Sequence, residues 1–292
     1  MPLICFASPK GGVGKTTLSA NVADLLRQQG RTALALDLDP QNSLRLHFGV
    51  PVNDLAGFNA QLPRRADWRQ SLRQAASGTL LLPHGAIELR DALEYNVALE
   101  RDPGLLAAPV REMLADPRVV VVADMPPGPS QALAILMPMA SLVVTVLQSE
   151  AISAAMLGEI EAGRFLGNGT MAALFAGRLQ FVLNGVDLRS RLSRLAAEAV
   201  ARHLGPRLLG AVSRDDALGE ALAAQRLVHE VAPDSAAAGD IRQVARAIGA
   251  LLPPLPAATA GGTAETIREG MPPDPAPSRL AAAWSAPEWG TR

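Results

Sequence analysis

The sequence predicts an α/β fold, a mostly parallel, twisted sheet flanked by helices on both faces. Three observations carry this expectation. Short apolar runs recur at Leu3–Phe6, Thr32–Leu38, Val119–Ala123, Ser141–Leu147, Gln180–Leu183 and Leu208–Val212, and each reads as a buried strand. Helical periodicity fills the intervals, most clearly over Thr16–Gln29, where Leu18, Val22, Leu25 and Leu26 form one stripe before Gly30 stops the helix. A glycine-rich turn joins the first strand directly to that helix.

The composition limits what surrounds this framework. The chain has 292 residues, of which 49% are apolar, enough for a substantial core. One domain is expected over residues 1–252, followed by a disordered tail over 253–292 in which Pro, Ala, Gly and Thr recur without period. Trp284 and Trp289 in that tail read as idle. A net charge of −1 gives no global field for nucleic acid or an anionic membrane. The single cysteine, Cys5, lies in the first strand and reads as a buried structural thiol. No signal peptide is expected, because the N-terminus runs straight into a core strand. The most apolar run, Ala132–Leu147, contains Pro138 and Ser141, so it reads as a helix end plus a strand and not as an integral membrane segment. The expected setting is cytoplasmic.

The turn after the first strand reads Lys10–Gly11–Gly12–Val13–Gly14–Lys15–Thr16–Thr17. Gly11, Gly12 and Gly14 allow backbone conformations in which successive N–H groups point at one anion. The helix start adds unpaired N–H groups and the positive end of its dipole. Lys15 can reach the β- and γ-phosphates of a nucleotide, and the Thr16 hydroxyl can ligand Mg²⁺. Pro9 stands where the strict phosphate-loop pattern has its first glycine, and a second lysine, Lys10, opens the loop instead. Lys10 and Lys15 are the only lysines among the 27 Lys plus Arg residues. Elsewhere arginine supplies the positive charge, and a bulky planar guanidinium does not replace a compact ammonium in such a loop.

Two acidic segments stand where ligands bind, at the carboxyl ends of parallel strands. Asp37–Leu38–Asp39–Pro40–Gln41 ends the second strand, and alternation places Asp37 and Asp39 on one side, suited to a metal shell and to orienting water. Asp124 ends the Val119–Ala123 strand, the position of a carboxylate serving Mg²⁺. Gly128, after Pro126 and Pro127, makes a loop whose N–H can approach a γ-phosphate. Asn184 closes the Gln180–Leu183 strand on the side where the base should lie. No guanine-specific N-K-x-D motif follows it, which favours ATP over GTP.

The rest of the chain is less specific. Leu44–Phe48 is expected to continue as a short helix, Pro51–Pro63 as loop, and Asp67–Ala76 as a helix near Arg64, Arg65, Arg69 and Arg73. That cluster reads as a solvated face. Thr79–Leu82 is a candidate strand, and Ile87–Val97, Leu105–Leu114, Glu150–Leu166, Ala217–Ala224 and Ala236–Leu252 are expected helices. Leu188–Leu204 is an arginine-rich helix carrying Arg189, Arg191, Arg194 and Arg202.

Residues 2–252 resemble the deviant-Walker P-loop ATPases of the MinD/ParA group. The loop at Lys10–Thr17, D-x-D-P-Q at Asp37–Gln41 and D-x-P-x-G at Asp124–Gly128 carry the resemblance. It implies ATP and Mg²⁺ as cofactors and a homodimer with ATP sandwiched between the subunits. In that arrangement Lys10 crosses to the partner's phosphates, Asp39 positions the hydrolytic water, and Asp124 serves Mg²⁺ through its shell. Asn184 and Arg214–Asp215 match the adenine side. Within the group, Leu44–Phe48, Asp67–Arg69, Leu81–Gly85 and Arg214–Ala217 resemble the cellulose biosynthesis protein BcsQ (YhjQ) family. That family implies an accessory role in assembling or localising the cellulose synthase complex, with recruitment to the inner membrane through partners. A small regulatory subunit in place of the second copy stays open.

Two other readings compete. A partitioning or positioning ATPase would act on DNA or another cargo, with the arginine-rich helix gripping phosphates. The net charge and the absence of a lysine-rich C-terminal patch give no strong nucleic-acid signal. A metabolic P-loop kinase would need an acceptor site, and none is evident. An iron–sulfur relative is excluded by the single cysteine.

Overall fold

The computed structural model describes residues 2–155, 157–161 and 178–255. Its strands are β1 (Leu3–Ala7), β2 (Thr32–Asp37), β3 (Arg73–Gln74), β4 (Leu80–Leu82), β5 (Val119–Asp124), β6 (Leu142–Gln148), β7 (Leu179–Val186) and β8 (Leu208–Ser213). They form one sheet in the order β3-β4-β2-β5-β1-β6-β7-β8. The two-residue β3 runs antiparallel to β4 at the edge, and every other neighbouring pair is parallel.

Helices cover both faces, as the apolar runs require. In β1, Leu3, Cys5 and Ala7 point into one core and Ile4 and Phe6 into the other. The first core is closed by α2 (Leu89–Arg101), α3 (Gly104–Met113), α4 (Gln131–Leu136) and α6 (Leu157–Glu161), the last following α5 (Ala151–Ala155), and by α7 (Arg191–Leu204). The second is closed by α1 (Lys15–Gln28), α8 (Ala217–Ala223), α9 (Val228–Val231) and α10 (Ala236–Leu251). Cys5 is fully buried, and burial pushes its thiol up to about 12. Since β1 lies between β5 and β6, the chain builds outward from it in both directions. Its carboxyl end is therefore the switch point at which such sheets bind ligands.

Local departures from the sequence reading have identifiable causes. Residues Asp67–Ala76 do not form a helix. The Asp67 side chain caps a single 3₁₀ turn, Trp68–Ser71, and Leu72 is then extended and fully buried, leading into β3. Trp68 and Leu72 have helical spacing, but pairing of β3 with β4 takes the backbone instead. The nearby arginines are tied to acids from other segments: Arg65 to Asp102, Arg69 to Glu112 at 2.8 Å, and the buried Arg73 to Asp54 at 3.1 Å. The loop from Pro51 contains a 3₁₀ helix, Asn59–Arg64. The arginine-rich helix starts at Arg191, where the Ser190 hydroxyl accepts from the Ser193 N–H. Residues 156 and 162–166 of the helix expected after Glu150, and 256–292 of the expected tail, lie outside the described residues. Among the described residues no helix is long and apolar enough to cross a membrane.

Candidate functional site

The loop leaves β1 at Ser8 and enters α1 at Lys15, with Gly14 as the helix N-cap. Gly14 has φ +83° and Gly12 φ +75°, left-handed conformations that a side chain resists. Gly14 is closed for a second reason: a Cβ there would overlap Asn184 Nδ2. That amide donates to the Val13 carbonyl at 2.8 Å, so the end of β7 buttresses the loop.

Lys15, Thr16, Asp39 and Asp124 converge beneath it. Lys15 Nζ lies 2.7 Å from Asp124 Oδ1 and 3.5 Å from Asp39 Oδ2. The Thr16 hydroxyl donates to Asp124 Oδ2 at 2.7 Å. Asp124 is fully buried, and burial raises its carboxyl pKa against the lowering effect of Lys15. Asp37 is its cross-strand neighbour, with a carboxyl pushed well above the usual range first by burial and then by the Asp124 charge. Asp37 is already engaged, however: Oδ1 accepts from the Asp39 N–H at 3.0 Å and Oδ2 from the Leu44 N–H at 3.1 Å. It anchors the loop after β2. Asp39 accepts from the Gln41 N–H through Oδ1, which leaves Oδ2 facing Lys15.

Lys10 reaches away from the loop to Glu150 at 2.6 Å, both side chains being close to half exposed. The Gly128 N–H donates to the Ser8 carbonyl at 2.8 Å, so its approach to a phosphate requires that bond to open. On the other side, the Arg214 N–H donates to the Val186 carbonyl, and the Asp215 carboxylate caps two helices by accepting from Ala217 N–H and Ala237 N–H. The cleft along the loop, about 300 Å³, is not lined by Asn184, Arg214 or Asp215. Its lining is Ser8 and Gly11–Thr17 on the loop, Asp39, Gln41, Ser43, Leu46 and His47 after β2, and Pro127 and Leu222. Three residues at or beside the loop, Glu150, His47 and Leu222, stand in no sequence motif for phosphate or metal. Glu150 carried no motif, and His47 was visible only as one letter of a family-like string.

The donor set suits Mg²⁺ held together with a nucleotide. Among the described residues no group of three His, Cys, Asp or Glu side chains forms a metal site by itself. Thr16 and Asp124 instead offer adjacent hard oxygens, and Mg²⁺ typically combines one or two such ligands with water and phosphate oxygens.

A parallel sheet with a strand–glycine loop–helix at its switch point, and a lysine set between two aspartates below that loop, defines a P-loop ATPase fold of the MinD/ParA type. Residues 1–248 match the model of the family described as cellulose biosynthesis protein BcsQ, and the chain belongs to that family. It is 25% identical over 246 residues to the cellulose biosynthesis protein BcsQ of Salmonella typhi, covering 84% of this chain and 93% of the relative. Among solved structures it is similar to a chain of the MinC:MinD cell division protein complex of Aquifex aeolicus, with a TM-score of 0.68, 20% identity, and coverage of 88% and 99%. MinD of Pyrococcus horikoshii, solved with Mg-ADP, gives a TM-score of 0.65, 21% identity, and coverage of 85% and 95%.

Proposed function

We propose that this chain is an ATP-dependent switch that serves bacterial cellulose synthesis or secretion as a cytoplasmic accessory protein. It binds ATP with Mg²⁺, associates across the nucleotide, and resets by slow hydrolysis. The observation that supports this most directly is Lys15, poised between Asp124 and Asp39 at the mouth of the glycine loop. Family membership supports the cellulose role, and the partners proposed for it are components of the cellulose synthase complex.

Each residue then has a task. The loop N–H groups of Gly11–Gly14 and the first turn of α1 receive the phosphates. Lys15 turns from Asp124 to the β- and γ-phosphate oxygens. Thr16 and Asp124 hold Mg²⁺, which when bound neutralises charge on the phosphates. Once Lys15 has turned away, Asp39 Oδ2 orients the attacking water while Oδ1 stays fixed by Gln41. Asp37 keeps that segment in place rather than touching the metal. Asn184 and Arg214–Asp215 do not line the cleft along the loop, and their assignment to the adenine side rests on the resemblance to the MinD/ParA group. Lys10 releases Glu150 and crosses to the phosphates of a second copy, or of a small regulatory subunit's composite site; a half-exposed pair of this kind is worth only about 0–1 kcal/mol. DNA partitioning is the weaker reading, because Leu188, Leu192 and Leu195 stand exposed among the arginines where a phosphate-tracking helix would carry polar groups.

The test is a nucleotide titration by calorimetry and a size measurement with and without ATP and Mg²⁺. The wild-type chain is expected to bind ADP and ATP, and to grow in mass only with ATP. Lys10→Ala should retain nucleotide binding and lose the mass increase. An absence of nucleotide binding by the wild type would refute the proposal, and an ATP-dependent dimer in Lys10→Ala would remove Lys10 from its role.

A further inference from the structure

The wall of the cleft opposite the glycine loop is the short 3₁₀ helix Leu44–Phe48, and it is held unusually firmly for so short an element. Its first N–H is bound by Asp37. Leu44 and Phe48 are buried in the same core as α1. The buried Arg45 guanidinium donates to four carbonyls, those of Asn42 at 3.1 Å, Pro51 at 2.6 Å, Asp54 at 3.0 Å and Val52 at 3.2 Å. With those three residues fixed, Leu46 and His47 line the cleft. His47 is only 3% exposed, and its Nε2 stands 3.5 Å from Thr17 Oγ1, the second hydroxyl of the phosphate loop. Thr17 is itself held from behind, since its carbonyl accepts from Asn21 Nδ2 at 2.8 Å.

We propose that His47 is a positioning residue for nucleotide binding, holding the Thr17 hydroxyl so that its proton points into the cleft at a phosphate oxygen. The inference rests on the nucleotide-binding reading above. A threonine hydroxyl has one proton to give and lone pairs to receive with. If His47 Nε2 accepts that proton, the hydroxyl presents only lone pairs to the cleft and repels an anion. If Nε2 carries the ring proton and donates to Oγ1, the hydroxyl proton is free for phosphate. Burial drives the His47 pKa down to about 4, so the ring stays neutral near pH 7 and both tautomers are accessible to it. Nucleotide therefore selects the Nε2–H tautomer. A ring serving only to fill space could be apolar, which would avoid the desolvation of its nitrogens.

Two measurements on the full chain test this. Nitrogen-15 NMR of histidine-labelled protein reports the tautomer of each of the four histidines, and the His47→Gln spectrum identifies His47 by its missing signals. On addition of ADP, His47 is expected to settle as the Nε2–H form. Calorimetric titration with ADP should give about a tenfold weaker affinity for His47→Phe, the size of one lost hydrogen bond. His47→Gln, whose amide can donate to Thr17, should stay within about threefold of wild type. In a Thr17→Val background, His47→Phe should have no further effect. The proposal is overturned if ADP leaves His47 as the Nδ1–H tautomer, or if a folded His47→Phe binds ADP as wild type does. If His47→Phe fails to fold, the tautomer and His47→Gln results decide. A wild-type chain that binds no ADP refutes the nucleotide reading itself; normal wild-type binding with an indifferent His47 refutes this inference alone.

Discussion

Replacing Lys15 should damage the folded state before any question of catalysis arises. Its ammonium is 6% exposed and provides the counter-charge for Asp124, which is fully buried, and for Asp39, 7% exposed at its side chain. Lys15→Ala leaves Asp124 buried without a cation, and removing one partner of a buried pair costs about 3–5 kcal/mol. For a domain of this size each kcal/mol moves the melting temperature by about 2–4 °C, so a fall on the order of 10 °C is expected at pH 8. The loss is pH-dependent. Burial already places the Asp124 carboxyl above its ordinary 3.8, and without Lys15 it rises further. A carboxyl that is more basic folded than unfolded takes up a proton on folding. Its penalty is therefore absent below 3.8 and grows as the pH climbs toward the folded value. The deficit of Lys15→Ala should accordingly be smaller at pH 5 than at pH 8. Adding Asp124→Asn removes the charge, so the double variant should recover most of the lost stability and still bind no ADP. Thermal melts by circular dichroism at both pH values, with ADP titrations of the same samples, make the comparison. The reasoning fails if Lys15→Ala melts with the wild type at pH 8, or if the double variant is no more stable than Lys15→Ala.

Two further substitutions probe other parts of the structure. Asp39→Ala should bind ATP and accumulate as the ATP-bound dimer, with phosphate release falling by about a hundredfold or more for a lost water-orienting group; normal turnover would remove Asp39 from that role. Asp24, on α1 and 1% exposed, accepts from Arg27, Gln28, Thr79 and His229 and so ties α1 to the β4 edge and to α9. Burial alone would raise its pKa, but the hydrogen bonds from His229, Arg27, Thr79 and Ser77 hold it far below the usual range. Asp24→Asn should cost about 3 kcal/mol near neutral pH by urea denaturation. Because the folded value is depressed, wild type keeps this stability above 3.8 and loses it as the pH falls toward the folded value, so the gap to Asp24→Asn should narrow there.

The parts of the fold legible in sequence were those that local chemistry dictates. Apolar runs such as Val119–Ala123 have to be buried on both faces, and they became central parallel strands. Gly11, Gly12 and Gly14 mark a turn with a backbone conformation that side chains would resist, and the structure gives Gly12 and Gly14 a positive φ but not Gly11. What could not be read depended on distant partners. Trp68 and Leu72 have the spacing of a helix, and only the β3–β4 pairing makes Leu72 extended. Asp37 and Asp39 look alike in the string D-L-D-P-Q, yet backbone N–H groups take both oxygens of Asp37 and only one of Asp39. Glu150 and His47 belong to segments 140 and 30 residues from the loop residues they touch, and no local pattern marks such contacts.

The two lysines have a practical consequence as well. They are the only side-chain amines in the sequence, both lie in the phosphate loop, and they differ in exposure, 40% for Lys10 against 6% for Lys15. An acylating reagent therefore finds Lys10 first and Lys15 late, with no other side-chain amine in the background. Phosphates lodged in the loop would engage Lys15, and a mate docked across them would sequester Lys10. Timed acylation read at the level of the modified residue by fragmentation mass spectrometry, which also sets aside the reactive α-amino group, would then report nucleotide occupancy at Lys15 and subunit association at Lys10 separately, without a dye, a tag or an engineered residue.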